Sequence, residues 1–216
     1  MKSHTQTARS GCTASWRGRM APTAEPRAIH VVAVVGSAGG IGALQVVLGG
    51  LPAELDASVL AIIHLTPLAP SVLPAILGRA TRLRVEQAVD AAPLEPGVVW
   101  VAPPDAHMLV DEHATIRLDH SELVHHVRPS ADVLLLSLAG NHRGPCTAIV
   151  LSGTGIDGAA GTAAVKRAGG RVLAQDEATS QYFGMPGAAI LAGGVDEVLP
   201  LTEIAPAVLE WAPVAP

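Results

Sequence analysis

Residues His30-Val31-Val32-Ala33-Val34-Val35 form a short apolar run that leads into the glycine-rich segment Gly36-Ser37-Ala38-Gly39-Gly40-Ile41-Gly42. An unbroken run of this kind predicts a strand buried on both faces, because a strand with one wet face would alternate. The small residues after it predict a sharp turn, and the apolar spacing of Ala43–Leu51 then predicts a helix. Strand, turn and helix in this order are typical of α/β proteins.

The same alternation continues along the chain. Further strands are predicted at 58–65, 98–102, 147–151, 171–174 and 195–199, and helices at 70–79, 130–139, 159–168 and 186–192. Residues 105–117 carry short alternating runs around Asp111–His113, which predicts a hairpin. The expected fold is therefore α/β, a doubly wound and mostly parallel sheet with a small antiparallel hairpin. Functional groups in such sheets lie beyond the carboxyl ends of the strands.

Composition bounds the remaining possibilities. The chain has 216 residues, 49% of them hydrophobic, which suits one sizeable α/β core. A net charge of −5 and 2% aromatic residues argue against nucleic-acid binding, and no apolar run approaches the length of a membrane span. Two distant cysteines, Cys12 and Cys146, suggest no disulfide framework and fit a reducing compartment. Residues 1–29 hold five basic residues and one acid without a core pattern, which predicts a disordered tail before a domain at 30–212.

Three predicted strand ends carry side chains suited to acyl transfer. Ser37 follows the first strand, His64 ends the second, and Asp157 lies in the turn after the strand at 147–151. A serine, a histidine and an aspartate can act as nucleophile, base and orienting acid whatever their order in the chain. A serine at a strand-to-helix turn also lies near main-chain N–H groups that can bind an oxyanion.

A nucleotide site is the principal alternative. Gly36, Gly40 and Gly42 match the glycine spacing of short-chain dehydrogenases. However, His64 stands where an acid would bind the ribose, and the single tyrosine, Tyr182, is followed four residues later by a proline rather than a lysine. A nucleotide-binding oxidoreductase is therefore disfavoured but stays open.

Each candidate also has a structural interpretation. His64 alone could be a strand-end histidine, and Asp157 alone could cap the helix that follows it. A group of histidines near several aspartates invites a metal interpretation, but the chain has no His-Glu-x-x-His motif and no paired cysteines, so no metal site is predicted. These histidines are His107, His113, His120, His125 and His126.

The sequence from about His30 to Trp211 resembles the catalytic domain of CheB-type chemotaxis receptor methylesterases. The matching stretches, in chain order, are Gly36-Ser37-Ala38-Gly39-Gly40, His64, Val101-Ala102-Pro103-Pro104-Asp105-Ala106-His107-Met108, Arg128-Pro129-Ser130-Ala131-Asp132-Val133-Leu134, Leu151-Ser152-Gly153-Thr154-Gly155-Ile156-Asp157-Gly158-Ala159-Ala160-Gly161, Ala174-Gln175-Asp176-Glu177-Ala178 and Phe183-Gly184-Met185-Pro186.

The resemblance implies a Ser37–His64–Asp157 triad, with oxyanion binding by the main chain of Ala38 and Thr154. It implies hydrolysis of glutamyl methyl esters on the cytoplasmic helices of methyl-accepting chemoreceptors, with deamidation of receptor glutamines as a second activity. No cofactor and no membrane insertion are expected, and the location implied is the bacterial cytoplasm. Arg128 is a weaker candidate, which either positions the substrate helix or pairs with Asp132.

Departures from the family pattern leave one alternative open. Ala38 replaces a threonine after the nucleophile, Thr154 replaces a methionine, and the proline after His64 is delayed to Pro67. Because of these changes, a catalytically impaired partner-binding module of the same fold stays open as an alternative. About 30 residues precede the first strand, fewer than the receiver domain typical of the family needs, so activity without that control is expected.

Overall fold

The computed structural model describes residues 28–64, 71–212 and 214, and strands alternate with helices through most of them. The strands are β1 (His30–Gly36), β2 (Ala57–Ile63), β3 (Arg84–Gln87), β4 (Val98–Val101), β5 (His107–Val110), β6 (Ile116–Asp119), β7 (Cys146–Val150), β8 (Arg171–Gln175) and β9 (Glu197–Leu199). The helices are α1 (Gly40–Gly49), α2 (Leu73–Leu77), α3 (Ala131–Asn141), α4 (Ala159–Arg167), α5 (Gly184–Leu191) and α6 (Leu201–Leu209).

Seven of the strands form one parallel sheet in the order β3-β4-β2-β1-β7-β8-β9. From β1 the chain forms β2 beside it, then β3 at the sheet edge and β4 between β3 and β2, and β7 then pairs with the other side of β1. The reversal between β1 and β7 opens a crevice at their carboxyl ends, where doubly wound sheets bind ligands. β5 and β6 form a separate antiparallel pair.

Both faces of the sheet are covered by apolar clusters. Val32 and Val34 of β1 point to one face, which packs on α1 and α6, whereas Val31, Ala33 and Val35 point to the other, which packs on α3, α4 and α5 and on the hairpin. All five side chains are fully buried, which explains why the strand is apolar without alternation. The predicted fold class is confirmed.

Two elements were not predicted. β3 has the sequence Arg-Val-Glu-Gln and lies at the sheet edge. Its residues are mostly polar and at least partly exposed, so the strand has no apolar run that would predict it. α6 begins after Pro200, a residue compatible with a helix start, and contains Pro206, which normally argues against a helix. It forms because Ile204 and Val208, one turn apart, are both buried against the core.

Some predictions fall on residues that the structure does not describe. The proposed tail, apart from Ala28 and Ile29, lies outside the described residues, as does the segment 65–70 with the delayed proline. The tail and the domain boundary therefore stay predictions. Among the described helices, none has the length and apolar character needed to cross a bilayer.

Candidate active site

The carboxyl ends of β1, β2 and β7 bring the three predicted residues to one edge of the sheet. The N–H of His64 donates to the Gly36 carbonyl at 3.3 Å, so the β2–β1 pairing continues to the residue beside Ser37. The N–H of Ser37 in turn donates to the Ser152 carbonyl at 3.0 Å, which ties the serine turn to the end of β7. Adjacent parallel strands thus fix the order His64, Ser37 and the 152–157 loop across the site.

His64 and Asp157 form a direct pair. The His64 Nε2 atom lies 2.8 Å from Asp157 Oδ2, and the side chains are only 12% and 3% exposed. With Nε2–H donating to the carboxylate, the other ring nitrogen, Nδ1, is the atom able to accept a proton. Nδ1 has no hydrogen-bond partner among the described residues, so this nitrogen is free to face a nucleophile or substrate.

Asp157 is held at the N-terminus of α3. Its Oδ1 accepts from the Ser130 hydroxyl at 2.7 Å and from the Asp132 N–H at 2.9 Å, while Oδ2 accepts from the Ala131 N–H at 2.6 Å. Burial is the largest single influence on this carboxyl and acts to raise its pKa. The hydrogen bonds from His64, the Asp132 N–H, Ser130 and the Ala131 N–H together outweigh it and hold the pKa of Asp157 below its ordinary 3.8.

The alternative that Asp157 caps its own helix is wrong. The N-cap of α4 is Gly158, which has φ of 96° and offers no side chain. Asp157 supplies its carboxylate to α3, which begins 26 residues earlier at Ala131. A carboxylate at a helix N-terminus meets the positive end of the helix dipole, which favours its ionised form.

Ser37 occupies the turn between β1 and α1. Its hydroxyl makes no hydrogen bond within residues 28–64 and 71–212, and therefore none to the His64 ring. Both side chains line the same open cavity of about 490 Å³, together with Gln181. A hydroxyl and a base that share a cavity can close to hydrogen-bonding distance when substrate binds.

The main chain beside Ser37 offers free donors. Neither the Ala38 N–H nor the Thr154 N–H donates a hydrogen bond to any described residue, whereas the N–H of Gly153, the residue before Thr154, donates to the Tyr182 carbonyl at 3.0 Å. A Cβ at Gly153 would lie 3.0 Å from the Ser37 Cβ and 2.3 Å from Met185 Sδ. Glycine is thus required for the Thr154 loop to approach the serine this closely.

Two buried polar residues that carried no predicted role connect these loops. The Ser152 hydroxyl donates to the Ala38 carbonyl at 2.8 Å and accepts from the Tyr182 N–H at 3.0 Å. Gln175 accepts from the Ser152 N–H at 2.8 Å through Oε1. Both side chains are 1% exposed. A polar residue at the carboxyl end of a buried strand was the available signal, and it was present in both cases.

Arg128 is engaged in a structural network. Its guanidinium binds the Asp105 carboxylate and the carbonyls of His120 and Ser121. The partner considered from the sequence, Asp132, instead bonds His125. These contacts favour the structural role of Arg128, and a role in positioning substrate stays a prediction.

Three of the grouped histidines, His107, His120 and His125, have separate hydrogen-bond partners. His107 is buried and accepts from the Ser130 N–H at 3.1 Å, while its Nε2 lies 3.1 Å from the Glu122 carbonyl. His120 Nδ1 lies 2.8 Å from the Asp105 carbonyl. These hydrogen bonds do not test whether the site binds a metal, so the absence of a metal site stays a prediction.

A family model described as CheB methylesterase matches residues 32–208, which include the three strand ends and the α3 N-terminus. This chain belongs to the CheB methylesterase family. The family match supports the resemblance drawn from the motifs, and it leaves the nucleotide-binding oxidoreductase without support.

Individual relatives of the CheB type agree. The chain is 39% identical over 190 residues to protein-glutamate methylesterase/protein-glutamine glutaminase 2 of Caulobacter vibrioides, covering 86% of this chain and 55% of the relative. It is 38% identical to the protein-glutamate methylesterase FrzG of Myxococcus xanthus, covering 86% and 56%. The crystal structure of the Thermotoga maritima CheB methylesterase catalytic domain superposes with a TM-score of 0.80 at 31% identity, covering 86% of this chain and 99% of that one. The chain spans about half the length of the Caulobacter and Myxococcus relatives.

Proposed function

We propose that this chain is a protein-glutamate methylesterase that uses Ser37, His64 and Asp157 as a catalytic triad. The observation that carries the proposal is the buried 2.8 Å pair between His64 and Asp157, held at a helix N-terminus beside a serine on a strand-to-helix turn. The names of the relatives give the substrate class, a methyl ester of a glutamate side chain.

The proposed reaction is a double displacement. Ser37 Oγ attacks the ester carbonyl while His64 Nδ1 takes its proton, and Asp157 stabilises the imidazolium that forms. The N–H groups of Ala38 and Thr154 bind the oxyanion of the tetrahedral intermediate. Collapse of this intermediate breaks the bond to methoxide, which leaves as methanol with the proton from His64.

The second half restores the enzyme. Water attacks the acyl-serine carbonyl and gives a proton to His64, and collapse of the second intermediate returns that proton to Ser37 Oγ. The product is a glutamic acid side chain, which loses its proton to solvent and becomes the carboxylate. The same steps with ammonia as leaving group would deamidate glutamine, the second activity in the names of relatives.

Exposed apolar side chains lie on both sides of the site. Ile156 and Tyr182 are 59% and 44% exposed, and they belong to the two loops that flank the Ser37 cavity. Exposed apolar side chains around an open cavity are typical of a surface that binds another protein. We propose as substrate the cytoplasmic helices of methyl-accepting chemoreceptors, with the bacterial cytoplasm as the location.

The test is methanol release from methylated chemoreceptor membranes by the wild-type protein, Ser37→Ala and Ser58→Ala. Ser58 is a matched control, because it is a fully buried serine of β2 whose hydroxyl has no partner in the described residues. Ser37→Ala is expected to lower turnover by about 10³-fold or more, and Ser58→Ala to leave it within about twofold.

Two results would contradict the proposal. Near-wild-type turnover by Ser37→Ala would remove the nucleophile assignment. A folded wild-type protein that binds receptor membranes without releasing methanol would favour the alternative of a catalytically impaired binding module.

A further inference from the structure

The cavity that contains the proposed nucleophile is lined by few polar side chains. Eight of the described residues line it, and apart from Ser37, His64 and Gln181 they are alanine, glycine or isoleucine. Ser37 and His64 act as nucleophile and base in the proposed reaction. Among the described lining residues, Gln181 is therefore the polar side chain that the reaction does not yet use.

The main chain on both sides of Gln181 is held by hydrogen bonds. Before it, the Ser180 N–H and hydroxyl both donate to the Asp176 carbonyl, at 3.2 Å and 2.7 Å. After it, the Tyr182 N–H donates to the Ser152 hydroxyl at 3.0 Å. The loop thus places Gln181 at the cavity through contacts that do not involve its own side chain.

The side chain of Gln181 lies against Gly39, the N-cap of α1 and the second residue after the nucleophile. A Cβ at Gly39 would lie 2.7 Å from Gln181 Oε1 and 2.8 Å from Gln181 Cβ, so glycine leaves the space that the amide occupies. Gln181 is exposed, and its amide makes no hydrogen bond to any described residue. Both the oxygen and the NH₂ group of the amide are therefore available to a bound substrate.

Strand order places Gln181 and His64 on opposite sides of Ser37. His64 follows β2 and Gln181 follows β8, and the sheet order β2-β1-β7-β8 puts these strands on either side of β1, which leads to Ser37. In acyl transfer the base returns its proton to the leaving group, so the leaving group lies on the side of His64. The carbonyl oxygen, where negative charge develops, then lies toward the side of Gln181.

We propose that Gln181 is a catalytic residue whose side-chain NH₂ group donates a hydrogen bond to the oxyanion of the tetrahedral intermediate. This inference rests on the proposed function. Of the two main-chain donors in the proposed reaction, Ala38 lines the cavity and Thr154 does not, so the amide adds a donor where the charge forms. The hydrogen bond transfers no proton. It is stronger to the oxyanion than to the neutral ester carbonyl, and it therefore lowers the barrier.

The test measures kcat and KM for methanol release from methylated chemoreceptor membranes at neutral pH by the wild-type protein, Gln181→Met and Gln181→Glu. Methionine has a similar length but no N–H donor, and glutamate has the shape of glutamine but only accepts and carries a negative charge. We expect kcat to fall by about tenfold to 10²-fold with methionine and further with glutamate, while KM stays within about threefold.

Gln87 supplies the matched control. It is an exposed glutamine at the end of the edge strand β3, and it does not line the cavity. Gln87→Met and Gln87→Glu should leave both kcat and KM within about twofold of the wild-type values.

Two outcomes would overturn the inference alone. If kcat is unchanged in both Gln181 variants, the amide gives no help to the chemistry, and a rise in KM would then show that it only binds substrate. If Gln181→Glu retains the wild-type kcat, the shape of the side chain matters and its N–H donor does not. In both cases Ser37-dependent turnover by the wild-type protein leaves the proposed function standing, whereas absence of that turnover would overturn both.

Discussion

Buried polar groups at the two edges of the parallel sheet differ in how fully they are hydrogen-bonded. At the carboxyl edge Asp157, Ser152 and Ser130 are buried, and each makes hydrogen bonds with main-chain or side-chain partners. At the amino edge two strand-starting residues are left with buried atoms that have no partner in the described residues, Nδ1 of His30 and Nε of Arg171. The Arg171 guanidinium pairs with Glu197 and stacks 4.3 Å above the Trp211 ring, yet Nε remains unused.

Helix direction explains the difference. In a parallel α/β sheet the helices begin at the carboxyl edge and end at the amino edge, so free N–H groups and positive dipole ends collect where the strands finish. An acid such as Asp157 is stabilised there as an anion. An imidazole buried at the other edge gains no such donors, and burial lowers the pKa of His30, assisted by charge repulsion from His142. The carboxyl edge can therefore hold charge for chemistry at a smaller cost in stability.

Asp157→Asn tests the carboxyl edge with the largest expected effect. The amide nitrogen would face either the Ala131 N–H and His64 Nε2–H or the donors from Ser130 and Asp132, so at least one pair of donors loses its acceptor. We expect kcat for ester hydrolysis to fall by about 10³-fold to 10⁴-fold, and the free energy of unfolding in urea to fall by about 1–2 kcal/mol.

Asp196→Asn is the matched control for this substitution. Asp196 lies at the amino edge and also accepts from a main-chain N–H, that of Val172, at 2.8 Å. Its replacement should leave kcat within about twofold. Equal losses of kcat in the two variants would show that the difference between the edges has no bearing on catalysis.

Ser152→Ala addresses the connection between the serine turn and the 182 loop. Loss of the hydroxyl leaves the Ala38 carbonyl and the Tyr182 N–H without their shared partner. We expect the free energy of unfolding to fall by about 1–2 kcal/mol and kcat to fall about tenfold, because Ala38 also carries a proposed oxyanion donor.

Ser58→Ala provides the comparison for Ser152→Ala, since the Ser58 hydroxyl has no partner within the described part of the chain. Its removal should be neutral or slightly stabilising. If urea unfolding and kcat respond alike to both substitutions, the Ser152 hydrogen bonds do not hold the turn.

The sequence predicted the positions of the site residues through strand order. Because the apolar runs ending at Val35, Ile63 and Leu151 all predict parallel strands, their carboxyl ends had to meet at one edge, and the serine, the histidine and the aspartate follow those ends. The glycine-rich turns and the family motifs pointed to the same residues. Local pattern and chain topology were enough for this part.

The support of the site was beyond sequence patterns. Asp157 caps α3 only because α3 and α4 pack together. Ala131 and Asp157 are distant in the chain, and from the sequence alone the N-terminus of each helix could have been capped by a neighbouring residue. The hydrogen bonds of Ser152 require the 182 loop to fold back over β7. Contacts made by tertiary packing leave no periodic signal, which is also why α6, with its internal Pro206, was missed.

The smallest expected effect is on the pH dependence of the free energy of unfolding, to which the two edges contribute in different pH ranges. Burial lowers the pKa of His30 and of His142 below 6.5, so the unfolded chain binds more protons than the native one in the range below that value. Their contribution to stability is therefore present above pH 6.5 and is lost as the pH falls below it. For Asp157 the folded pKa lies below 3.8, so its contribution is present above that value and is lost only as the pH falls further.

Urea unfolding at closely spaced pH values should thus show two separate losses. Between pH 6.5 and 5.5 we expect a fall of roughly 1 kcal/mol or less, kept small because His142 is only partly buried. His142→Gln, which can still donate to the Ile29 carbonyl that His142 Nε2 contacts at 3.0 Å, should reduce the fall in this upper range to the part that His30 contributes and leave the fall below pH 4 intact. Asp157→Asn should do the reverse, because its charge is stabilised at the carboxyl edge alone. Identical slopes for the two variants would mean that the edges do not titrate independently, and the contrast drawn between them would not hold.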